Sequence, residues 1–168
     1  MAISPLPGGP APARRAVVAD APALVRLRAV MLADMGVAIG GEDAPWRRAA
    51  EEWFATRLAG GVDLAAFVVD DPALGVVSSA VGTCDRHAPS PANPSGLHGH
   101  VFNVCTDPRR RRLGHARLCM EALLGWFRDE TEVRVVNLNA TRHGTGLYRA
   151  LGFDAPRHPA LQLRMTAE

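Results

Sequence analysis

The apolar residues of this chain alternate between two spacings, and the order of that alternation is the feature that most restricts its fold. Some runs repeat with a helical period of about 3.6 residues, whereas others are short and continuous, as in buried strands. The order predicted along the chain is β α α β β β α β α β. The strands are predicted over residues 15–19, 64–69, 74–84, 98–106, 133–138 and 161–165, and the helices over 21–35, 46–58, 115–129 and 141–151.

This order indicates an α/β protein with a mixed central sheet flanked by helices. The second to fourth strands follow one another without an intervening helix, and Asp70-Asp71-Pro72 is turn chemistry, so an antiparallel N-terminal meander is expected. The strand–helix–strand unit over residues 98–138 predicts that the fourth and fifth strands pair in parallel, because a parallel connection needs a long crossover.

The chain length bounds the domain organisation. Its 168 residues suit a single domain, which we expect over residues 14–168. Residues 1–13 are rich in proline and glycine and carry few large apolar side chains, so they are predicted to form a flexible N-terminal tail.

The composition excludes several classes of protein. Hydrophobic residues make up 48% and charged residues 21% of the chain, as in ordinary globular proteins. No apolar run approaches the ~20 residues of a transmembrane helix, and a formal net charge of +2 is too small to indicate a nucleic-acid binder. We therefore expect neither a nucleic-acid nor a membrane partner. Since the sequence contains no lysine, Schiff-base mechanisms are excluded.

The cysteines and the amino terminus indicate the compartment. Cys84, Cys105 and Cys119 are odd in number and lack paired spacing, which is typical of reduced thiols in the cytoplasm. Residues 1–13 also lack the basic start and apolar core of a signal peptide. The use of arginine alone among the basic residues resembles the codon bias of a GC-rich bacterial genome, so a cytoplasmic bacterial protein is expected.

The segment after the fourth predicted strand has the features of an anion site. Pro108 ends the strand, and an arginine-rich turn leads to Gly114 at the start of a long helix. A helix N-terminus offers free N–H groups and the positive end of the helix dipole, which together favour a phosphate or pyrophosphate. The spacing alone is equally consistent with a solvent-exposed loop and a packing glycine. Neither a Walker A motif nor GxGxxG is present.

Two motifs resemble those of a known family. Arg111-x-x-Gly114-x-Ala116 resembles the Q/R-x-x-G-x-G/A acetyl-CoA-binding motif of the GNAT acetyltransferases, and residues 139–153 contain L-Y-x-x-L-G-F, which is similar to the late signature of that family. The resemblance covers about residues 14–168. It implies the GNAT fold and an N-acetyltransferase that moves an acetyl group from acetyl-CoA directly to a primary amine, without an acyl-enzyme.

The resemblance also implies where acetyl-CoA binds. The backbone of the fourth strand would pair with the pantetheine arm as an added strand would, the amides of the turn would hold the pyrophosphate, and two residues after the fifth strand would touch the arm. The implied cofactor-binding residues are Val104, Cys105, Thr106, Arg111, Arg112, Leu113, Gly114, His115, Ala116, Arg117, Asn139 and Thr141.

Acetyl transfer to an amine needs an acid and a base. By the resemblance, Tyr148, the only tyrosine, is the acid that protonates the sulfur of coenzyme A; the alternative is a core aromatic residue. His100 stands where histone-modifying members have a catalytic glutamate, and its neutral imidazole could accept the proton. The alternative base is an ordered water, with Asn103 as one possible holder.

Strand alternation assigns these side chains to faces of the sheet. A period of two places His98, His100, Phe102 and Val104 on one face, with Asn103 and Cys105 on the other. His98 and His100 have no third ligand at a nearby spacing, so no metal site is expected. A cysteine nucleophile is also not expected, because Cys105 and Cys119 are predicted to be buried.

The acceptor amine is not identified by the sequence and could belong to a small molecule or a peptide. Glu42 and Asp43 are candidate contacts for a cationic amine, or alternatively a solvated turn. A homodimer is compatible with the resemblance. Two other functions stay open: a catalytically weak acyl-CoA-binding sensor or structural domain, and an RNA-associated module that uses residues 109–112.

Overall fold

A five-stranded sheet forms the centre of the computed structural model, which describes residues 11–165. The strand order is β1-β2-β3-β4-β5; β1 to β4 pair antiparallel, and β4 pairs with β5 in parallel. The predicted mixed sheet is confirmed. The elements are β1 (Arg14–Arg15), α1 (Ala21–Asp34), α2 (Pro45–Gly60), β2 (Leu64–Asp71), β3 (Gly75–Arg86), β4 (Leu97–Thr106), α3 (His115–Glu130), β5 (Val135–Leu138) and α4 (Thr145–Ala150).

Helices cover both faces of the sheet and bury a separate apolar core on each. On one face α1 and α2 contribute Leu24, Leu27 and Phe54 to a cluster that we call the α1 core. On the other face α3 contributes Met120 and Leu123 to the α3 core. The middle strands can serve both cores because side chains alternate across a strand.

A β-bulge interrupts β4 in its second half. Ser79 pairs with Cys105 and Val81 with Phe102, so two residues of β4, Asn103 and Val104, lie opposite the single residue between Ser79 and Val81. Asn103 takes the left-handed conformation, with φ of 53°. An inserted residue of this kind bends the strand and shifts the side-chain alternation.

The bulge makes the predicted assignment of faces wrong beyond Phe102. His100 stacks on Phe102, as expected, with 6.0 Å between ring centroids. Asn103 is fully buried on that same side, where its amide donates to the Leu24 carbonyl of α1, and Cys105 also belongs to the α1 core. Val104 instead packs against the α3 core. A strict period of two fails where an extra residue enters the strand.

The strands β4 and β5 pair over a short stretch only. His98 to Val101 pair with Val135 to Leu138, β5 then ends, and β4 continues to Thr106. Within the described residues no strand pairs with β4 on its β5 side over residues 102–106. A gap therefore opens between the two strands at one end of the sheet.

The predicted final strand, residues 161–165, is wrong. Leu161, Leu163 and Met165 are 97%, 82% and 86% exposed, and the segment has no regular secondary structure. The alternating pattern is that of a strand, but a strand forms only where a partner edge supplies hydrogen bonds. Residues 1–10, most of the predicted tail, lie outside the described residues.

Two other predicted elements are shorter in the structure. The first strand stops at Arg15, because the Asp20 carboxylate accepts from the Val17 amide and stabilises a 3-10 turn over Val18–Asp20. The last helix begins at Thr145, since residues 141–144 form a turn in which Thr141 accepts from the Gly144 amide.

None of the helices in the described part of the chain is long and apolar enough to cross a membrane.

Gly82 of β3 allows α3 to lie close to the sheet. A Cβ at this position would lie 2.7 Å from Phe127 Cζ and 2.8 Å from Leu123 Cδ1. We expect Gly82→Ala to lower the free energy of unfolding by about 1–3 kcal/mol through overpacking, measured by urea denaturation. The control is Gly125→Ala in α3, where the nearest atom is 3.6 Å away; a helical Gly→Ala change should raise stability by about 0.5–1 kcal/mol. A Gly82→Ala variant as stable as the wild type would contradict this packing.

Candidate active site

The gap between β4 and β5 exposes strand backbone that an extended ligand could pair with. Val104, Cys105 and Thr106 lie beyond the last pair, Val101 with Leu138, so their β5 side has no neighbouring strand in the described structure. Asn139 and Thr141 follow β5 where the gap begins. An extended chain can bind such an edge by strand addition, and the free edge of β4 consists of Val104, Cys105 and Thr106.

A tight turn carries the chain from β4 to α3. The buried carboxylate of Asp107 accepts from the Arg109 amide at 3.0 Å and from the Arg109 guanidinium at 2.8 Å, and Pro108–Arg110 forms a 3-10 turn. The bonds from Arg109 lower the pKa of Asp107, despite its burial. Asp107 was not among the predicted site residues, although an Asp-Pro pair after a strand is itself a turn signal.

The amides that follow this turn are free. Arg112 and Gly114 have φ of 66° and 81°, and no side chain caps α3. Over residues 111–117 no backbone N–H donates to an acceptor in the described part of the chain. Successive free amides ending in a helix N-terminus form a concave, electropositive surface that suits a phosphate group. Gly114 has no atom within 4 Å of an added Cβ, so the space above it is open.

The arginine side chains of the turn mostly bind the protein itself. Arg109 pairs with Asp107, Arg110 with Asp71, and Arg111 with Asp34 on α1. These ion pairs connect the turn to its neighbours and neutralise much of its charge. Arg112 is exposed and has no ion pair among the described residues. The potential of this surface therefore comes largely from backbone amides.

The first residue of α3 also contributes a polar atom. His115 is only 8% exposed, and its Nδ1 is buried without a hydrogen-bond partner in the described structure. Leu113 on the preceding turn is exposed, whereas Ala116 is half-buried in the first turn of the helix. The small side chain of Ala116 leaves the amides of this turn accessible.

Tyr148 of α4 lies near the unpaired part of β4. Its ring is half-buried and packs edge-on against Phe153, with 6.1 Å between centroids. Burial raises the pKa of Tyr148, and the nearby Cys105 raises it further, so the phenol keeps its proton at neutral pH. A Cβ at Gly144 would lie 2.8 Å from the tyrosine ring, which explains a glycine at the start of this short helix.

A cavity of about 500 Å³ lies between the α1–α2 pair and strands β3 and β4. Trp53, Phe54 and Phe102 form an aromatic wall with centroid separations of 5.2 to 6.4 Å. Phe102 is also the first residue of β4 beyond its pairing with β5, so the cavity and the gap meet there. The adjacent Trp53 and Phe54 are the sequence signal for this wall.

The charged residues of this cavity are not those expected from the sequence. Arg28, Arg57 and Asp85 line it. Glu42 and Asp43, the predicted substrate contacts, lie in an exposed loop and do not line it. A sequence shows that carboxylates lie in a loop, but it does not show whether a charged residue of a helix faces a cavity. That depends on how the helix packs.

His100 borders the cavity. It stacks on Phe102, and its cross-strand neighbour on β3 is Thr83, which lines the cavity. The ring of His98 lies against His87 instead, 4.4 Å between centroids. Among residues 11–165 no group of three or more His, Cys, Asp and Glu side chains could hold a metal ion.

The cysteines near the site are poor nucleophiles. Burial raises the pKa of Cys105 to about 11 and that of Cys119 to about 12, so both thiols stay neutral at physiological pH. Since only the thiolate attacks readily, neither thiol is suited to act as a nucleophile.

Solved structures share this fold. A predicted acetyltransferase from Clostridium acetobutylicum, crystallised with acetyl-CoA, is 22% identical with a TM-score of 0.77, covering 90% of this chain and 94% of that chain. A GCN5-related N-acetyltransferase from Ralstonia eutropha is 21% identical, covering 90% and 97%, with a TM-score of 0.71. Glucosamine-6-phosphate N-acetyltransferase from Arabidopsis thaliana is 15% identical, covering 93% and 97%, with a TM-score of 0.65.

No curated protein matches the sequence. The model of the acetyltransferase (GNAT) family matches residues 41–153, a range that includes β4, the free amides and α4. Because this match spans more than half of the chain, the chain belongs to the acetyltransferase (GNAT) family.

Proposed function

We propose that the protein is an N-acetyltransferase that transfers an acetyl group from acetyl-CoA directly to a primary amine, within one domain over residues 14–168. The observation that carries the proposal is the continuity of the β4–β5 gap with the free amides of residues 111–117. An extended arm that ends in a pyrophosphate fits this shape, since the arm would add to a strand edge and the phosphates would meet a helix N-terminus.

The cofactor is held mainly by backbone in this proposal. The pantetheine arm pairs with residues 104–106, and Asn139 and Thr141 contact it from the β5 side. The pyrophosphate accepts hydrogen bonds from the amides of residues 111–117, and Arg112 adds a charge that no carboxylate among residues 11–165 pairs with. Membership in the GNAT family and the acetyl-CoA bound by the Clostridium acetobutylicum protein both support this assignment.

Acetyl transfer requires the amine to lose one proton and the sulfur of coenzyme A to gain one. The neutral amine nitrogen attacks the thioester carbonyl carbon, a C–N bond forms, and the C–S bond breaks as the tetrahedral intermediate collapses. Tyr148 donates its proton to the departing sulfur; its raised pKa keeps that proton available at neutral pH. The chain needs no nucleophile of its own, in keeping with the neutral thiols of Cys105 and Cys119.

His100 accepts the proton that the amine loses. It lies beside Phe102, where the cavity meets the gap, so an amine placed in the cavity has the imidazole on its path to the thioester. Asn103 is a poor alternative as holder of a catalytic water, because the Leu24 carbonyl and Arg28 already occupy its amide.

A catalytically weak acyl-CoA-binding domain is the alternative function. It needs the gap and the amides but neither Tyr148 near Cys105 nor a cavity at Phe102, and the structure has both. Release of free thiol from acetyl-CoA in the presence of a panel of amines distinguishes the two functions, since only the enzyme produces coenzyme A in proportion to added amine.

Gly114→Glu tests the pyrophosphate site. The carboxylate would enter the open space above Gly114 and repel a phosphate, so we expect the affinity for coenzyme A to fall by at least about tenfold, or about 1.4 kcal/mol, by isothermal titration calorimetry. The control is Gly61→Glu at the end of α2, where φ is also positive, at 67°, and no atom lies within 4 Å. Equal affinity in both variants would contradict the site.

Tyr148→Phe tests the acid. The ring still packs against Phe153 but can no longer donate a proton, so kcat should fall by about 10²–10⁴-fold with little change in the affinity for coenzyme A. Steady-state thiol release and calorimetry measure the two effects separately. A kcat within about twofold of the wild type would show that solvent protonates the sulfur.

His100→Ala tests the base, with His98→Ala as the matched control on the same strand. We expect kcat/KM at neutral pH to fall by about 10²-fold or more in the His100 variant. It should change little in the His98 variant, because the ring of His98 lies against His87. If both variants keep the activity of the wild type, an ordered water accepts the proton instead.

A further inference from the structure

Arg28 of α1 differs from every other arginine in the described part of the chain. The other arginines that are not exposed, Arg47, Arg57 and Arg110, each pair with a carboxylate. The arginines without a carboxylate partner are otherwise all exposed. Arg28 alone is both half-buried and without a carboxylate within 4 Å.

This arrangement has an energetic cost in the free protein. Burial lowers the pKa of the Arg28 guanidinium, and no carboxylate offsets that effect. An arginine nevertheless stays charged at neutral pH. Charges removed from water are normally paired, so a lone half-buried guanidinium that lines a cavity indicates an anion supplied by a ligand.

The bulge in β4 positions Arg28. Asn103 is fixed by its bond to the Leu24 carbonyl, and its Oδ1 accepts from Arg28 Nη1 at 3.5 Å. This single contact uses one of the five N–H donors of the guanidinium. The remaining donors form a planar fork, the geometry that binds a carboxylate or a phosphate through two parallel hydrogen bonds.

The rest of the cavity fits a small amine with an apolar body. Its volume of about 500 Å³ is in the range of small-molecule sites. Trp53, Phe54 and Phe102 supply an aromatic wall, and Arg57 has a buried Nε without a hydrogen-bond partner. Arg57 already pairs with Asp63, and the carboxylate of Asp85 is exposed to solvent, so Arg28 is the cation of the lining that lacks a carboxylate partner.

We propose that the acceptor is a primary amine that also carries an anionic oxyacid group, a carboxylate or a phosphate, which Arg28 binds in this cavity. The inference rests on the proposed function and names its substrate class. With the anion on Arg28 and the apolar body against the aromatic wall, the amine extends past Phe102 toward the β4–β5 gap. Amines that lack an acid group leave the guanidinium without its partner.

The test compares acceptors that carry an acid group with matched acceptors that lack it. Thiol release from acetyl-CoA is measured with the standard amino acids and with their carboxamides, for example phenylalanine against phenylalaninamide, and with O-phosphoethanolamine against ethanolamine. We expect the acid of at least one pair to exceed its neutral partner by about 10- to 100-fold in kcat/KM, as for hydrogen bonds to a charged group. The preferred pair shows whether the anion is a carboxylate or a phosphate.

Variants assign this preference to Arg28. Arg28→Met keeps an unbranched apolar stem but removes the guanidinium and its charge, and should abolish the preference for the acid. Arg28→Lys keeps the charge without the fork, and should retain part of it. Arg48→Met is the control, because Arg48 is exposed on α2 and pairs with Glu52. A preference unchanged in Arg28→Met, or equal rates for acids and amides, overturns the inference.

If no amine of the panel is acetylated, a binding measurement tests the inference. The protein saturated with coenzyme A is titrated calorimetrically with N-acetylphenylalanine, its carboxamide and O-phosphoethanolamine. Tighter binding of an acid, lost in Arg28→Met, supports the inference, and absence of acid binding overturns it. Failure of coenzyme A itself to bind overturns the proposed function instead, so the two failures are distinguishable.

Discussion

The contact between Asn103 and the Leu24 carbonyl is the constraint on which the site depends. It holds a left-handed residue in the middle of β4 and fixes the bulge against α1. The bulge bends β4 where its pairing with β5 ends, and it therefore lies at the border of the gap. Asn103 also contacts Arg28 at the adjoining cavity, so one buried amide connects the gap with the cavity.

Electrostatics in the β4–α3 turn are divided between side chains and backbone. The carboxylates of Asp107, Asp71 and Asp34 pair with three of the four consecutive arginines. The paired arginines therefore stabilise the conformation of the turn and contribute little net positive charge to it. The amides of residues 111–117 keep their hydrogens free for a ligand. Fixed backbone dipoles need no reorganisation when an anion arrives, which makes them a better preorganised site than mobile guanidinium groups.

The sequence predicted the long elements within a few residues and the two motifs that identify the family. Apolar periodicity was sufficient for α2 and α3, which each bury one face, and continuous apolar runs were sufficient for the central strands, which are buried on both faces. It failed at residues 161–165, where alternation is present but no partner edge exists among the described residues, and at Asn103, since a bulge depends on the register between two strands. The cavity was missed because its lining residues Arg28 and Phe102 are distant in the chain.

By itself, the sequence determined the order of the elements up to α4, the glycine-containing turn before α3 and the single tyrosine of α4, because each depends on residues close together in the chain. Only the tertiary structure decided which residues meet: Tyr148 near Cys105, His100 opposite Thr83, and Arg28 beside Phe102 in the cavity. Such contacts join residues far apart in the chain, and they follow from strand register and helix packing, which no local pattern specifies.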